Sequence, residues 1–367
     1  MFNNNETIES RKAIQLMLAI IMVIIVGAVL KITQVVVLPL IIAWLLSFLL
    51  APPLRLLRKL HVPNVLAIVI MLIIVLGIIY LAGMFILQRV FAFLAAYPKY
   101  QAQWVVIINE IFDTYELARN GVNSIDISGY MQRYFLTFSS LMLKFLSNLI
   151  LVIIFLFFIL LGQPFSQYKV AKMFSIERGQ KVLHITQSTS RGIRRYLWLQ
   201  FLISAVTGIV VAIALSLIGV DFAITWGALA FVLNFIPNIG SIVASIPPVL
   251  IAFVQYYPSF WPAIATALAL LAIQQTIGNF IAPKVLGDSL DLSPVVILLA
   301  LLFFGWMWGI MGAILSVPIA VAIKIACDNI EGLEFLGIMM SSGRKYRAEF
   351  MAKECATAED RQQPYCE

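Results

Sequence analysis

Charge is scarce in this 367-residue chain: 12% of its residues are Asp, Glu, Lys or Arg, and 62% are hydrophobic. Soluble domains run nearer half apolar and a quarter charged. So little polar surface cannot cover a water-soluble globule of this size. Cysteine is rarer still. Cys327, Cys355 and Cys366 all lie near the end of the chain, which excludes a disulfide framework and a metal site of ligand spacing. The two histidines, His61 and His184, form no cluster. There is no phosphate-binding Gly-Lys-Ser/Thr loop and no His-Glu-x-x-His pair, so neither an internal ATPase nor a zinc hydrolase is expected. Acids are absent from the middle of every apolar run; Asp221, Asp288 and Asp328 sit at ends. Proton and cation relays through lipid commonly use such carboxylates. The reading is a non-enzyme without cofactor or metal.

What is present is long apolar runs, with a mean hydropathy of +0.98. About 20 apolar residues cross the hydrocarbon of a bilayer. Spans are expected over roughly 13–30, 35–50, 64–88, 145–161, 196–218 and 261–281. The first is read as a retained span, being too long for a signal-peptide core. The formal net charge is +7. Its cations lie in short loops, so it reports topology and not nucleic-acid binding. Arg55, Arg58 and Lys59, the segment from Lys169 to Arg195, and the tail at Arg344 to Lys353 mark the inner face. N- and C-termini are expected inside, in a bacterial inner membrane. Between 89 and 144 mixed charges return, with Trp104, Ile108, Ile111 and Tyr115 at helical spacing and Asn120-Gly121 as a stop. This is expected to be an amphipathic, extracytoplasmic helical module.

Two apolar blocks are too long for one crossing. Residues 222–257 and 294–325 would each make a straight helix of roughly 50 Å. The first is interrupted at Asn234-Phe-Ile-Pro237-Asn238-Ile-Gly240 and again at Pro247-Pro248; the second at Gly305, Gly309 and Gly312, with Pro318 beyond. Proline removes an amide donor and glycine frees the backbone. Broken backbone at membrane depth needs protein or a wet cavity to satisfy it. The expectation is two opposed re-entrant hairpins around the 261–281 span, with a binding site at the midplane. The fold class is thus an all-α polytopic membrane protein: about six spans, two broken hairpins and the amphipathic module. Its parts are an N-terminal three-span unit (1–88), the outer module (89–144), two spans with a basic cytoplasmic helix at 163–195 (145–218), a transport core (222–326) and a tail (327–367).

The candidate solute-binding residues are Asn234 and Asn238 flanking the break, Ser241 after it, and Gln275 with Asn279, four apart on one helix face. Each has a plainer role: helix capping for the asparagines, close packing for the serine, helix–helix adhesion for the amides. Pro237, Gly240, Pro247, Gly309, Gly312 and Pro318 are the break and hinge positions. Lys284, Asp288 and Asp291 are candidate gate residues, a solvated loop being the default.

The last part of the chain resembles the autoinducer-2 exporter family of bacterial membrane proteins. The residues that carry this are Trp226-Gly-Ala-Leu-Ala, Asn234-Phe-Ile-Pro-Asn-Ile-Gly-Ser241, Ser245-Ile-Pro-Pro248, Gly278-Asn-Phe-Ile-Ala-Pro-Lys-Val-Leu-Gly287, Leu292-Ser-Pro294 and Gly312-Ala-Ile-Leu-Ser-Val-Pro318. The resemblance implies an inner-membrane homo-oligomer, a pentamer, that exports autoinducer-2 in some members and exchanges Na⁺ or Li⁺ for H⁺ in others. Relatives often carry Glu where this chain has Ala282, which puts ion coupling through that carboxylate in doubt here. Neutral amides and hydroxyls suit a neutral, polyol-like solute. The leading expectation is an exporter of a small neutral polar solute such as this quorum-sensing signal, working by alternating access of the hairpin unit. A sodium–proton antiporter and a membrane scaffold or assembly factor using the outer module are the rivals.

Overall fold

The structure is a computed structural model. It describes residues 24–115, 148–163, 176–237, 239–286, 292–330 and 332–343, with isolated positions 14, 17, 18, 21, 22 and 346. The described residues are helical, with no strand among them. Six of the described helices are long and apolar enough to cross a bilayer. The chain is an all-α, polytopic membrane protein.

A first helix (α1) is described over 24–32, and α2 is Gln34–Lys59. Then come α3 (Asn64–Tyr115), α4 (Asn148–Gln163) and α5 (Ile176–Ile218). The later helices are α6 (Ala223–Leu233), α7 (Ile239–Tyr256) and α8 (Trp261–Ile273). A wider π-helical stretch, Gln274–Ile281, continues α8 into α9 (Ala282–Leu286). α10 is Pro294–Asn329 and α11 is Glu334–Met340.

Two boundaries differ from the sequence expectation. The third span does not stop at Gln88: α3 runs unbroken for 52 residues. Its apolar helical phase survives the return of charge, and the single Pro98 does not end it. The segment after Gln88 therefore begins as a continuation of the same helix. The basic segment likewise fuses with the fifth span into the 43-residue α5. Residues 116–147, with Asn120 and Gly121, and 164–175 lie outside the described residues.

Separate cores form. Ala43 and Leu54 of α2, Ile68 and Met71 of α3, and Val152 and Leu156 of α4 make one. Val211 and Leu215 of α5, Ala230 of α6, Ala244 and Ala252 of α7, and Ala263 and Leu270 of α8 make another. α5 and α6 meet backbone to backbone: Gly208 and Gly227 face each other's carbonyls, leaving no room for a side chain. The third core joins Leu45 and Phe48 of α2, Ile193 and Tyr196 of α5, and Leu315 and Val317 of α10.

Both broken blocks fold back on themselves. α6 and α7 form the arms of the first hairpin. Its base is tied to the end of α5: the Gln255 amide donates to the Gly219 carbonyl at 2.8 Å, as does the Tyr256 hydroxyl at 2.8 Å. In α10 the helix reverses at Gly309, whose φ of 64° and ψ of −143° leave helical space. Ile325 of its second arm meets Gly192 of α5. Gly192 and Gly219 are about 40 Å apart along the helix axis, so the two hairpins engage α5 at well-separated points.

A polar cavity at the first hairpin tip

The first tip is made by local chemistry. Pro237 offers no amide hydrogen and disfavours helix at Ile236. The chain turns through short-range bonds instead, Ile236 N–H to Leu233 O at 2.8 Å and Gly240 N–H to Ile236 O at 3.0 Å. Gly240 is obligatory, because a Cβ there would overlap the Leu233 carbonyl. α6 is 11 residues, about 16 Å long, so its end lies about half a bilayer from its base.

Breaking a helix there strands its last carbonyls. Gln200 of α5 resolves one: its Nε2 donates to the Asn234 carbonyl at 2.8 Å. The Asn234 side-chain amide donates to Ser204 Oγ at 3.0 Å. Gln200, Ser204 and Thr207 are 8%, 0% and 5% exposed, so this is a buried polar stripe. Its spacing of four and then three is a helical face that the sequence carries, masked by the apolar residues of 200–207 that read as plain span.

Beside this stripe lies a small enclosed cavity. Its polar lining is Thr207, Asn234, Ser241, Ser245 and Gln274; Val211, Leu270 and Ile273 are among its apolar walls. The Ser245 hydroxyl donates to the Ser241 carbonyl at 2.8 Å. The space open to water centres is about 20 Å³, room for about one water. Larger clefts of about 380–420 Å³ have almost wholly apolar walls; one of them adjoins the cavity and shares Ser241, Ser245, Leu270 and Gln274 with it. A polar solute needs convergent hydrogen-bonding groups, so volume alone does not select the site.

The structure brings Asn234 and Ser241 together. It does not bring in Gln275 and Asn279, which are exposed and hydrogen-bonded to each other. Gln274 faces the cavity in their place. The π-helical widening, a form often found at functional sites, places it so, and its amide lies against Gly278. Asn238, Asp288 and Asp291 lie outside the described residues, and Lys284 is exposed. Pro247 sits inside α7 without ending it.

The second tip is different. Gly312 sits against the Phe304 carbonyl as Gly240 sits against Leu233. Yet Phe304, Met307 and Trp308 form an apolar cluster with Leu30, Val37, Leu38 and Ile41. Trp308 Nε1 donates to the Leu30 carbonyl at 3.3 Å. Lys31 Nζ stands 3.7 Å over the Trp306 ring. This tip therefore reaches the turn between α1 and α2, and its buried side chains are apolar. The buried hydroxyl of Ser316, near Pro318, is spent on the Ala313 carbonyl. Lys324, 6% exposed in α10, pairs with Asp328 at 2.6 Å.

The base of the first hairpin carries a polar latch to α3. Lys99 Nζ is 3.2 Å from Asp221 Oδ2, and the Tyr100 hydroxyl donates to the same oxygen at 2.5 Å. The Tyr257 hydroxyl donates to Glu110. Burial first, then the bond to Asp221, raises the Tyr100 pKa well above the ordinary tyrosine value. The bond to Glu110 raises that of Tyr257.

The number and length of its apolar helices make this a multi-pass membrane protein. The family model of AI-2E family transporters matches residues 18–332, and the chain belongs to that family. It is 31% identical over 338 residues to a protein of Borreliella burgdorferi provisionally named as a transport protein, covering 92% of this chain and 93% of that one. It is 36% identical over 200 residues to the AI-2 transport protein TqsA of Escherichia coli K12, covering 54% of this chain and 57% of that one.

Proposed function

We propose that this transporter exports a small neutral polar solute, with autoinducer-2 the first to test, by alternating access at the first hairpin tip. The observation that carries this is the cavity lined by Thr207, Asn234, Ser241, Ser245 and Gln274: amides and hydroxyls, with no carboxylate in the lining. Such groups exchange hydrogen bonds with a polyol without having to neutralise it. The name of the Escherichia coli relative supports the choice of solute. The moving element is the hairpin unit with α8, riding against the core of α2, α3 and α4. The second hairpin, seated on both α2 and α5, stands at the boundary between these bodies. The basic loops support a reading with both termini in the cytoplasm of an inner-membrane protein. Family resemblance makes a homo-oligomer the expected assembly.

Efflux of labelled autoinducer-2 from proteoliposomes, with and without a proton gradient, tests the solute and its coupling. Asn234→Ala is expected to lower the rate at least tenfold. Equal rates for wild type, variant and empty liposomes would remove the reading. Sodium–proton antiport would instead show as Na⁺-driven pH change in the same vesicles. A disulfide between Lys99→Cys and Asp221→Cys, made in a cysteine-free background, is expected to stop flux reversibly. Normal flux in the cross-linked protein would rule out movement at that base.

A further inference from the structure

Away from the solute cavity, arginines gather where the end of α2 passes α5. Arg55, which is exposed, and Arg58, half-buried, are one turn apart on α2; Arg194, also half-buried, follows Ile193 on α5. Leu45 and Phe48 pack against Ile193 and Tyr196, so the approach of the two helices is set by a core and not by a loop. Arg55 is near enough to Arg194 for the two charges to repel. Nε and Nη2 of Arg58 and Nε of Arg194 are buried with no hydrogen-bond partner. None of the three arginines pairs with a carboxylate among the described residues.

Burying guanidinium N–H groups unpaired is costly, and placing like charges together adds to the cost. A fold that keeps the arrangement has a counter-ion for it. The guanidinium fork matches the oxygens of phosphate in charge and geometry. Basic pockets between spans at a membrane face are also where anionic lipid headgroups bind. We propose that Arg55, Arg58 and Arg194 form a phosphate-binding site that pins α2 to α5. The phosphate comes either from an anionic phospholipid or from solution, and the two sources are separable.

The test is thermal unfolding of the full chain in nanodiscs of phosphatidylcholine, of phosphatidylcholine with phosphatidylglycerol, and of phosphatidylcholine with millimolar inorganic phosphate. Ligand that binds only the folded state raises Tm. A rise of several degrees with phosphatidylglycerol alone supports a lipid phosphate; a rise with inorganic phosphate supports a soluble one. Arg58→Gln and Arg194→Gln are each expected to weaken binding about fivefold or more, shrinking the rise. Both are expected to be at least as stable as wild type in phosphatidylcholine, where they relieve an unpaired charge. Lys59→Gln, an exposed neighbouring cation, keeps the full response. The proposal is overturned by a wild type indifferent to both ligands. It is equally overturned by arginine variants that respond in full, or that are less stable than wild type in neutral lipid. Loss of the response in Lys59→Gln also sinks it, because that marks diffuse attraction.

Discussion

The two hairpins share a backbone solution and differ in chemistry. Each turns with a glycine seated on a carbonyl of its own first arm, Gly240 on Leu233 and Gly312 on Phe304. At the first tip the freed polar groups meet Gln200 and Ser204 beside a cavity. At the second, the ring of Trp308 and its apolar neighbours fill the space. A broken helix in lipid is therefore not by itself a binding site. What surrounds the break decides whether it is a pocket or a plug.

The largest effects should fall equally on both. Gly240→Ala and Gly312→Ala each drive a methyl into a backbone carbonyl, and a loss of about 3 kcal/mol or more is expected. Yield of folded protein and thermal unfolding would read it, and a tolerated alanine at either site would break the parallel. Trp308→Ala should cost about 3 kcal/mol of stability through the vacated volume, while transport per folded molecule persists. Gln200→Leu strands the Asn234 carbonyl, at about 1–3 kcal/mol, and should lower transport as well as Tm. If Trp308→Ala lost transport and Gln200→Leu kept it, the division into plug and pocket would be reversed.

Much of this contrast was open to a reader of the sequence, and part was not. Over-long apolar blocks with Pro237, Gly240, Gly309 and Gly312 near their middles predicted where the chain breaks. That Asn234 and Ser241 would share a site followed from their nearness to the break. Which face of 261–281 turns inward did not follow. In a bilayer the inner and outer faces of a helix are both apolar, so the usual periodic signal is faint. The π-helical stretch then shifts the faces further, bringing in Gln274 and leaving Gln275 and Asn279 outside. The surroundings of the second tip were less legible. Glycines report where backbone can turn, and nothing in them reports that Leu30 and Val37 will pack against the Phe304–Trp308 cluster.

The smallest effects concern the latch between α3 and the first hairpin. Lys99 and Asp221 are partly solvated, with side chains 56% and 38% exposed. Lys99→Ala should cost below about 1 kcal/mol and less in high salt. The Tyr100 pKa is raised in the fold, so its contribution is complete below the unfolded value of about 10 and is lost only as pH climbs through the raised one. Thermal unfolding of wild type and Tyr100→Phe should therefore differ by a constant amount from pH 6 to 9. A gap that narrows within that range would contradict the assignment.

The unbroken course of α5 has a mechanical corollary. One hairpin is fastened near Gly219 and the other leans on Gly192, with a stiff rod of about 40 Å between them. A rod held at two points that far apart cannot tilt for one occupant alone. Rocking it about its midpoint lifts one end as it lowers the other, so events on the two faces of the membrane would be geared together without any signal passing through the solute.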